Sequence, residues 1–168
     1  MAMVMNIAAK QSGANRVRLS AAALGRFLDL IPFRYPRFPA WLPGPGGATH
    51  PFAAYWGLKD YLGNLKRAHR KLNWRVIMKR RVSLEMLAEI VSAQEPVLIY
   101  GVGETGIPHV VVPIEKRGNK WLILDPGYPR KSNPREWTDQ QLMKWWRNYS
   151  FIYPRGILIA LEPSPLIG

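Results

Sequence analysis

The stretch HVVVPIEKRGNKWLILD, residues 109–125, decides the fold. It holds two short runs rich in β-branched and aromatic side chains, residues 109–115 and 120–124, separated by a polar turn at residues 116–120. Runs of this length and composition read as strands, and a short polar connection makes them antiparallel neighbours. His109 opens the first strand and Asp125 closes the second, immediately before Pro126 and Gly127. Strands running in opposite directions bring those two side chains to one end of the sheet.

Working outward, residues 96–102 (PVLIYGV) and 156–161 (GILIAL) are two further apolar runs bounded by turn residues, and are expected to be strands. A helix is expected over residues 139–147, where Thr138 and Gln141 form a capping box and Leu142 and Trp146 face inward. Upstream, Ser83 caps a short helix bearing Leu84, Leu87, Ala88 and Val91. Leu72, Trp74, Val76 and Met78 alternate with polar or basic residues, as in a half-buried strand. Thr49 with Pro51 marks another helix start, with Phe52, Tyr55, Trp56 and Leu62 along its apolar side. Residues 32–51 are broken by Pro32, Pro36, Pro39, Pro43, Pro45 and Pro51, which excludes regular structure and predicts a surface excursion packed on the body through Phe33, Tyr35, Phe38 and Trp41. Ser20 caps a helix with Leu24, Phe27, Leu28 and Ile31 at helical spacing, and residues 2–11 form an opening helix with no capping residue. Helices first and a mostly antiparallel sheet afterwards define an α+β chain, and its 168 residues fit one domain with a real core.

Composition removes several function classes. The chain has no cysteine, so disulfides, thiolate metal sites and thiolate nucleophiles are all excluded. His50, His69 and His109 lie far apart without ligand spacing, which argues against a zinc site, and no cofactor is implied. No apolar run approaches the roughly 20 residues of a membrane span, and residues 1–10 lack the basic start and cleavage site of a signal peptide, so a cytoplasmic location is expected.

The net charge of +13 is concentrated. Lys66, Arg67, Arg70, Lys71, Arg75, Lys79, Arg80 and Arg81 follow one another without an intervening acid. A surface of this kind attracts phosphates or anionic headgroups, so Arg67, Arg70, Lys71, Arg75, Arg80 and Arg81 are candidate anion-binding residues. The plainer reading is a solvated basic helix end and strand face. Trp74 is the one aromatic interleaved with these charges, which gives little for base stacking.

Gly101, Gly103 and Gly106 spell the dinucleotide fingerprint by letter, directly after a strand. That motif requires a helix next, whose N-terminus holds the pyrophosphate. Pro108 and three consecutive valines follow instead, so a hairpin turn is expected. His109 and Asp125 carry more chemistry. A carboxylate that accepts from one imidazole nitrogen fixes the tautomer and leaves the other nitrogen as a base. By spacing alone, a capping histidine at a strand entrance and an Asp-Pro-Gly turn residue are the favoured account of the two, because such a turn explains itself.

The order of these pieces resembles a known family. SLEMLAEIVSAQEPVLIYGV (83–102), His109 with its valines, Trp121-Leu-Ile-Leu-Asp125-Pro126, Leu142 to Trp146 and GILIAL follow the C-terminal half of papain-like cysteine peptidases of the bacteriocin-processing type, over residues 83–162. The resemblance implies a papain-like fold, with N-terminal helices packed on a twisted sheet as a single peptidase-like domain over 1–168. It implies His109 as general base and Asp125 as the residue orienting it. It also implies a nucleophilic Cys-Gly at the start of a first helix continuing Ala-Met-Val, and Met1-Ala2-Met3-Val4 reads as though the chain begins just inside that helix, with the oxyanion donor also upstream. Ser12 and Ser20 fall elsewhere. The implied function is a truncated or degenerate peptidase-type domain that keeps a His–Asp pair, lacks the Cys, and binds an extended peptide or protein. The alternative is a non-enzymatic module that binds nucleic acid or anionic membrane through residues 66–81.

Overall fold

The computed structural model describes residues 51–68, 74–102, 108–125, 134–147 and 156–164. The expected helices over 2–11 and after Ser20 lie outside the described residues, as does the excursion over 32–51 apart from Pro51. Two compact units divide the chain, one comprising residues 1–77 and 161–168, the other residues 78–160.

Three helices and six strands are described: α1 (Pro51–Ala68), β1 (Trp74–Lys79), α2 (Leu84–Ser92), β2 (Val97–Val102), β3 (Pro108–Arg117), β4 (Lys120–Leu124), β5 (Arg135–Thr138), α3 (Asp139–Arg147) and β6 (Ile157–Pro163). The strands form one sheet in the order β1-β6-β2-β3-β4-β5. The pairings β6–β2, β2–β3, β3–β4 and β4–β5 are all antiparallel, which makes this the α+β architecture the sequence implies. Among the described residues, no helix is long and apolar enough to cross a membrane.

In the first unit, α1 opens at Pro51, whose fixed φ suits a first helical position. Its buried stripe is Ala54, Leu58 and Leu62, successive i+4 neighbours. Trp56 corrects the sequence reading: it is 42% exposed rather than facing inward. It stands roughly 200° round the helix from Ala54, at 100° per residue. There it meets Tyr55 edge-on, with the Lys59 ammonium 5.0 Å above its ring. In β1, Trp74 and Val76 are buried as the alternation predicts.

The second unit carries most of the sheet. The Ser83 hydroxyl accepts from the Met86 N–H at 3.2 Å and so starts α2, which buries Leu87, Ile90 and Val91. The helix ends in a Schellman motif: Glu95 N–H donates to Ile90 O at 3.1 Å and Gln94 N–H to Val91 O at 3.0 Å, with Gln94 in the left-handed region at φ 57°. α2 lies against β3, and α3 lies against β2, β4 and β5. Val97, Leu98 and Ile99 of β2 and Ile157, Leu158, Ile159 and Ala160 of β6 are all fully buried. Central strands covered on both faces read as continuous apolar runs, which is how they appear in the sequence.

β3 and β4 join through Gly118 and Asn119, with Gly118 at φ 57°. A glycine at the first position of a two-residue hairpin supplies the positive φ that matches the strands' twist. A bulge follows Pro113, since Pro113 pairs with Ile123 but Glu115 pairs with Leu122. Proline donates no ladder hydrogen bond, so inside a strand it is tolerated at such an irregularity. The extra residue reverses the alternation and puts Lys116 on the same face as Trp121, its ammonium 4.8 Å above the indole ring. β5 was not expected from the sequence, whereas the capping box was: Gln141 N–H donates to Thr138 Oγ1 at 3.2 Å and Thr138 N–H to Gln141 Oε1 at 2.8 Å.

Candidate active site

The register of four strands assembles the candidate site on one face of the second unit. Gly101 of β2 is paired with His109 of β3. Val112 is paired with Leu124, so the next β4-side residue, Asp125, lies opposite Val111 and diagonally across from His109. Ile123 is paired with Arg135 and Trp121 with Trp137, which places both β5 residues on the face that carries Asp125.

The side chains meet accordingly. His109 Nε2 stands 2.6 Å from Asp125 Oδ1. The carboxylate is 2% exposed and the imidazole 35% exposed, so one end of the pair is buried and the other reaches solvent. A carboxylate at Nε2 selects the tautomer with the proton there and leaves Nδ1 as the acceptor. Asp125 Oδ2 faces Arg135 Nη1 at 3.6 Å. A buried carboxylate needs such partners, because an uncompensated charge at this depth is costly.

Contacts then close into a ring. The Arg135 guanidinium lies 5.7 Å from the centroid of Trp137, and Trp137 meets Trp145 of α3 at 5.3 Å and 61°. The Trp145 indole covers Gly101, where an added Cβ would stand 2.5 Å from the ring. Gly101 in turn is the strand partner of His109. The first glycine of the apparent dinucleotide motif therefore serves a close approach by an indole. The segment after the glycines is the strand β3, paired antiparallel with β2, not a helix.

A second polar cluster anchors α3 to the β3–β4 hairpin. Asp139 Oδ1 accepts from Trp121 Nε1 at 2.6 Å and from Lys116 Nζ at 2.9 Å, and its N–H donates to Asn119 O at 2.9 Å. These bonds, that from Lys116 foremost and then that from Trp121, hold the Asp139 carboxyl below its ordinary pKa.

The basic residues have a different fate. Arg67, Arg75, Arg80 and Arg81 are exposed, and Arg70 and Lys71 lie outside the described residues. Arg67 donates to Asn64 Oδ1, and Arg75 donates to Glu162 Oε2 through Nε at 3.2 Å and Nη2 at 2.9 Å. Among the described residues, no three His, Asp or Glu side chains converge as metal ligands do. The sequence reading missed Arg135, Trp137 and Trp145. The available signal was a Trp-rich segment, 137–146, next to the expected helix.

An α+β chain of this topology has the fold of papain-like peptidases. The particular likeness is to the peptidase domain of Streptococcus ComA, a bi-functional ABC transporter involved in a quorum-sensing pathway, with a TM-score of 0.56 at 13% identity over 94% of this chain and 88% of that one. A putative C39-like peptidase from Bacillus anthracis is also similar, with a TM-score of 0.47 at 17% identity over 66% of this chain and 57% of that one. By sequence, no family model and no curated protein matches. The resemblance to bacteriocin-processing peptidases drawn from the sequence thus holds at the level of the fold.

Proposed function

We propose that this chain is a peptidase-type domain that binds an extended peptide or protein segment at His109 and Asp125 without cleaving it. The reading takes the whole chain as the functional unit, because the likeness to the ComA peptidase domain runs over 94% of it. The observation that carries it is the 2.6 Å contact between His109 Nε2 and the buried Asp125 carboxylate, on a peptidase fold whose sequence has no cysteine. His109 Nδ1 then serves as a hydrogen-bond acceptor for a bound backbone N–H or as a base toward water. Without an attacking thiolate, hydrolysis falls by several orders of magnitude. Binding and bond-breaking use separable interactions, so the lack of a nucleophile does not by itself remove binding.

The test uses the full chain and a set of short extended peptides. Peptides are expected to shift the His109 ring resonances and to remain intact by mass spectrometry. His109→Ala is expected to weaken binding several-fold to about tenfold, the effect of one lost neutral hydrogen bond. Cleavage of any peptide by the wild-type chain, or a His109 ring that no peptide perturbs, would overturn the proposal. The rival, an anion-binding module acting through residues 66–81, predicts affinity for nucleic acid or anionic vesicles that falls steeply with salt and is lost when Arg67, Arg70, Arg80 and Arg81 are neutralised. The engagement of Arg75 by Glu162 gives that rival less support.

A further inference from the structure

We propose that Arg135 is a positioning residue for the His109–Asp125 pair, pinning the Asp125 carboxylate from its second oxygen so that the first stays aimed at the imidazole. The inference rests on the reading of His109 and Asp125 as the working pair, and it assigns a third member to it.

Three observations carry it. The two carboxylate oxygens are divided between partners: Oδ1 faces His109 Nε2 at 2.6 Å and Oδ2 faces Arg135 Nη1 at 3.6 Å. A hydrogen bond at one carboxylate oxygen and an ion pair at the other restrain the terminal torsion, which is otherwise soft. Arg135 is itself restrained, because β5 fixes its backbone opposite Ile123 and its guanidinium lies over Trp137, 5.7 Å from the ring centroid, with Trp137 braced by Trp145. A planar guanidinium on an aromatic face loses less freedom when it forms an ion pair than a flexible ammonium does. Arg135 therefore delivers its charge from a defined position. The chain of supports ends where it began, since Trp145 covers Gly101, the strand partner of His109. The imidazole and the group that orients it are thus referenced to the same four strands and one helix.

The readout is the tautomer of His109, which a merely structural role for Arg135 would not move. Nitrogen NMR of the full chain under alkaline conditions reports the ratio of the Nε2–H to the Nδ1–H form. The wild-type ring is expected to be almost entirely Nε2–H. Arg135→Met is expected to lower the ratio about tenfold, corresponding to ~1.4 kcal/mol, while Arg135→Lys recovers only part of it because the ammonium does not stack in the same plane. Trp137→Leu, which removes the ledge and keeps the guanidinium, is expected to give an intermediate ratio and serves where Arg135→Met does not fold. A wild-type ring with mixed tautomers would sink the His109–Asp125 reading itself. A wild-type Nε2–H ring that stays unchanged in the folded Arg135 and Trp137 variants would leave that reading standing and overturn the role of Arg135.

Discussion

Gly101→Ala tests the ring of contacts that frames the candidate site, and its cost follows from distances. A methyl group at residue 101 would stand 2.5, 2.6 and 2.7 Å from the Cε3, Cζ3 and Cδ2 atoms of Trp145. Carbon atoms in contact sit about 3.5–4.0 Å apart, so the indole has to retreat by roughly 1 Å. Three things resist that retreat. Trp137 stands edge-on to the indole at 5.3 Å. Trp146, the next residue, is buried and donates from Nε1 to Ile157 O at 3.2 Å. The start of α3 is closed by the Thr138–Gln141 box. The substitution is therefore expected near the top of the usual overpacking range, about 2–3 kcal/mol. For a chain of this size that lowers the melting midpoint by roughly 5–10 °C.

The assay is urea unfolding of four proteins: wild type, Gly101→Ala, Trp145→Ala and the double variant. Trp145→Ala destabilises in its own right, but it removes the atoms the new methyl would strike. Gly101→Ala is then expected to cost under about 0.5 kcal/mol in that background, a coupling of about 2 kcal/mol between the two positions. Near-UV circular dichroism should change in Gly101→Ala, because the Trp137–Trp145 geometry is disturbed, and the double variant should match Trp145→Ala, where that pair is already gone. An additive cycle, with the same cost in both backgrounds, would refute the claim that Trp145 is why position 101 is a glycine.

Other expectations come from single features. Gln94 sits in the left-handed region at the end of α2, where a non-glycine residue is strained, so Gln94→Gly should stabilise the chain by about 0.5–1 kcal/mol in urea unfolding; a loss of stability would contradict the Schellman assignment. Thr138→Ala opens the capping box and should cost about 1 kcal/mol, with Gln141→Ala adding less than its separate cost because the two bonds belong to one motif. Asp139 has its folded pKa lowered by Lys116 and Trp121, so its contribution is present in full above the unfolded value near 3.9 and is lost as pH falls through the lower folded value. The stability gap between wild type and Asp139→Asn should accordingly be constant at neutral pH and shrink in acid below about pH 4; a gap that does not narrow would show that the carboxylate charge is not what holds the hairpin to α3.

Much of the fold was legible because its central strands are nearly uniform. Residues 97–102 and 157–161 are apolar along their length, and burial on both faces requires that. Ser83 and the Thr138–Gln141 pair were legible because caps are local, needing only residues three apart. β5 was not legible. Arg135-Glu136-Trp137-Thr138 carries two charges in four residues, and its extended state is imposed by pairing with β4. With β5 unseen, Arg135 could not be placed beside Asp125, although His109 and Asp125 themselves followed from one hairpin. Trp145 escaped for a related reason. Its neighbour Trp146 lies on the stripe with Leu142, whereas the partner of Trp145 is the absence of a side chain at Gly101, which no periodicity reports. Pro113 was a visible cue to the bulge, and through it to the placement of Lys116 over Trp121.

The burial of Asp125 bears most directly on what the pair is for. A turn residue ahead of Pro126 and Gly127 has no need to be buried, since Asp serves such turns from the surface. At 2% exposure this carboxylate has given up hydration, and its compensation includes a ring nitrogen at 2.6 Å and a guanidinium at 3.6 Å. Buried ion pairs of this kind are poor stabilisers, and apolar residues of similar volume often replace them at no loss. Stability alone therefore gives little reason to keep a carboxylate here, and less reason to leave its histidine partner 35% exposed at the solvent end. A held, part-exposed imidazole is the one product of the arrangement that an apolar replacement could not supply. That asymmetry supports a ligand at Nδ1 over a purely structural pair, and it holds whether or not a nucleophile is ever brought to the site.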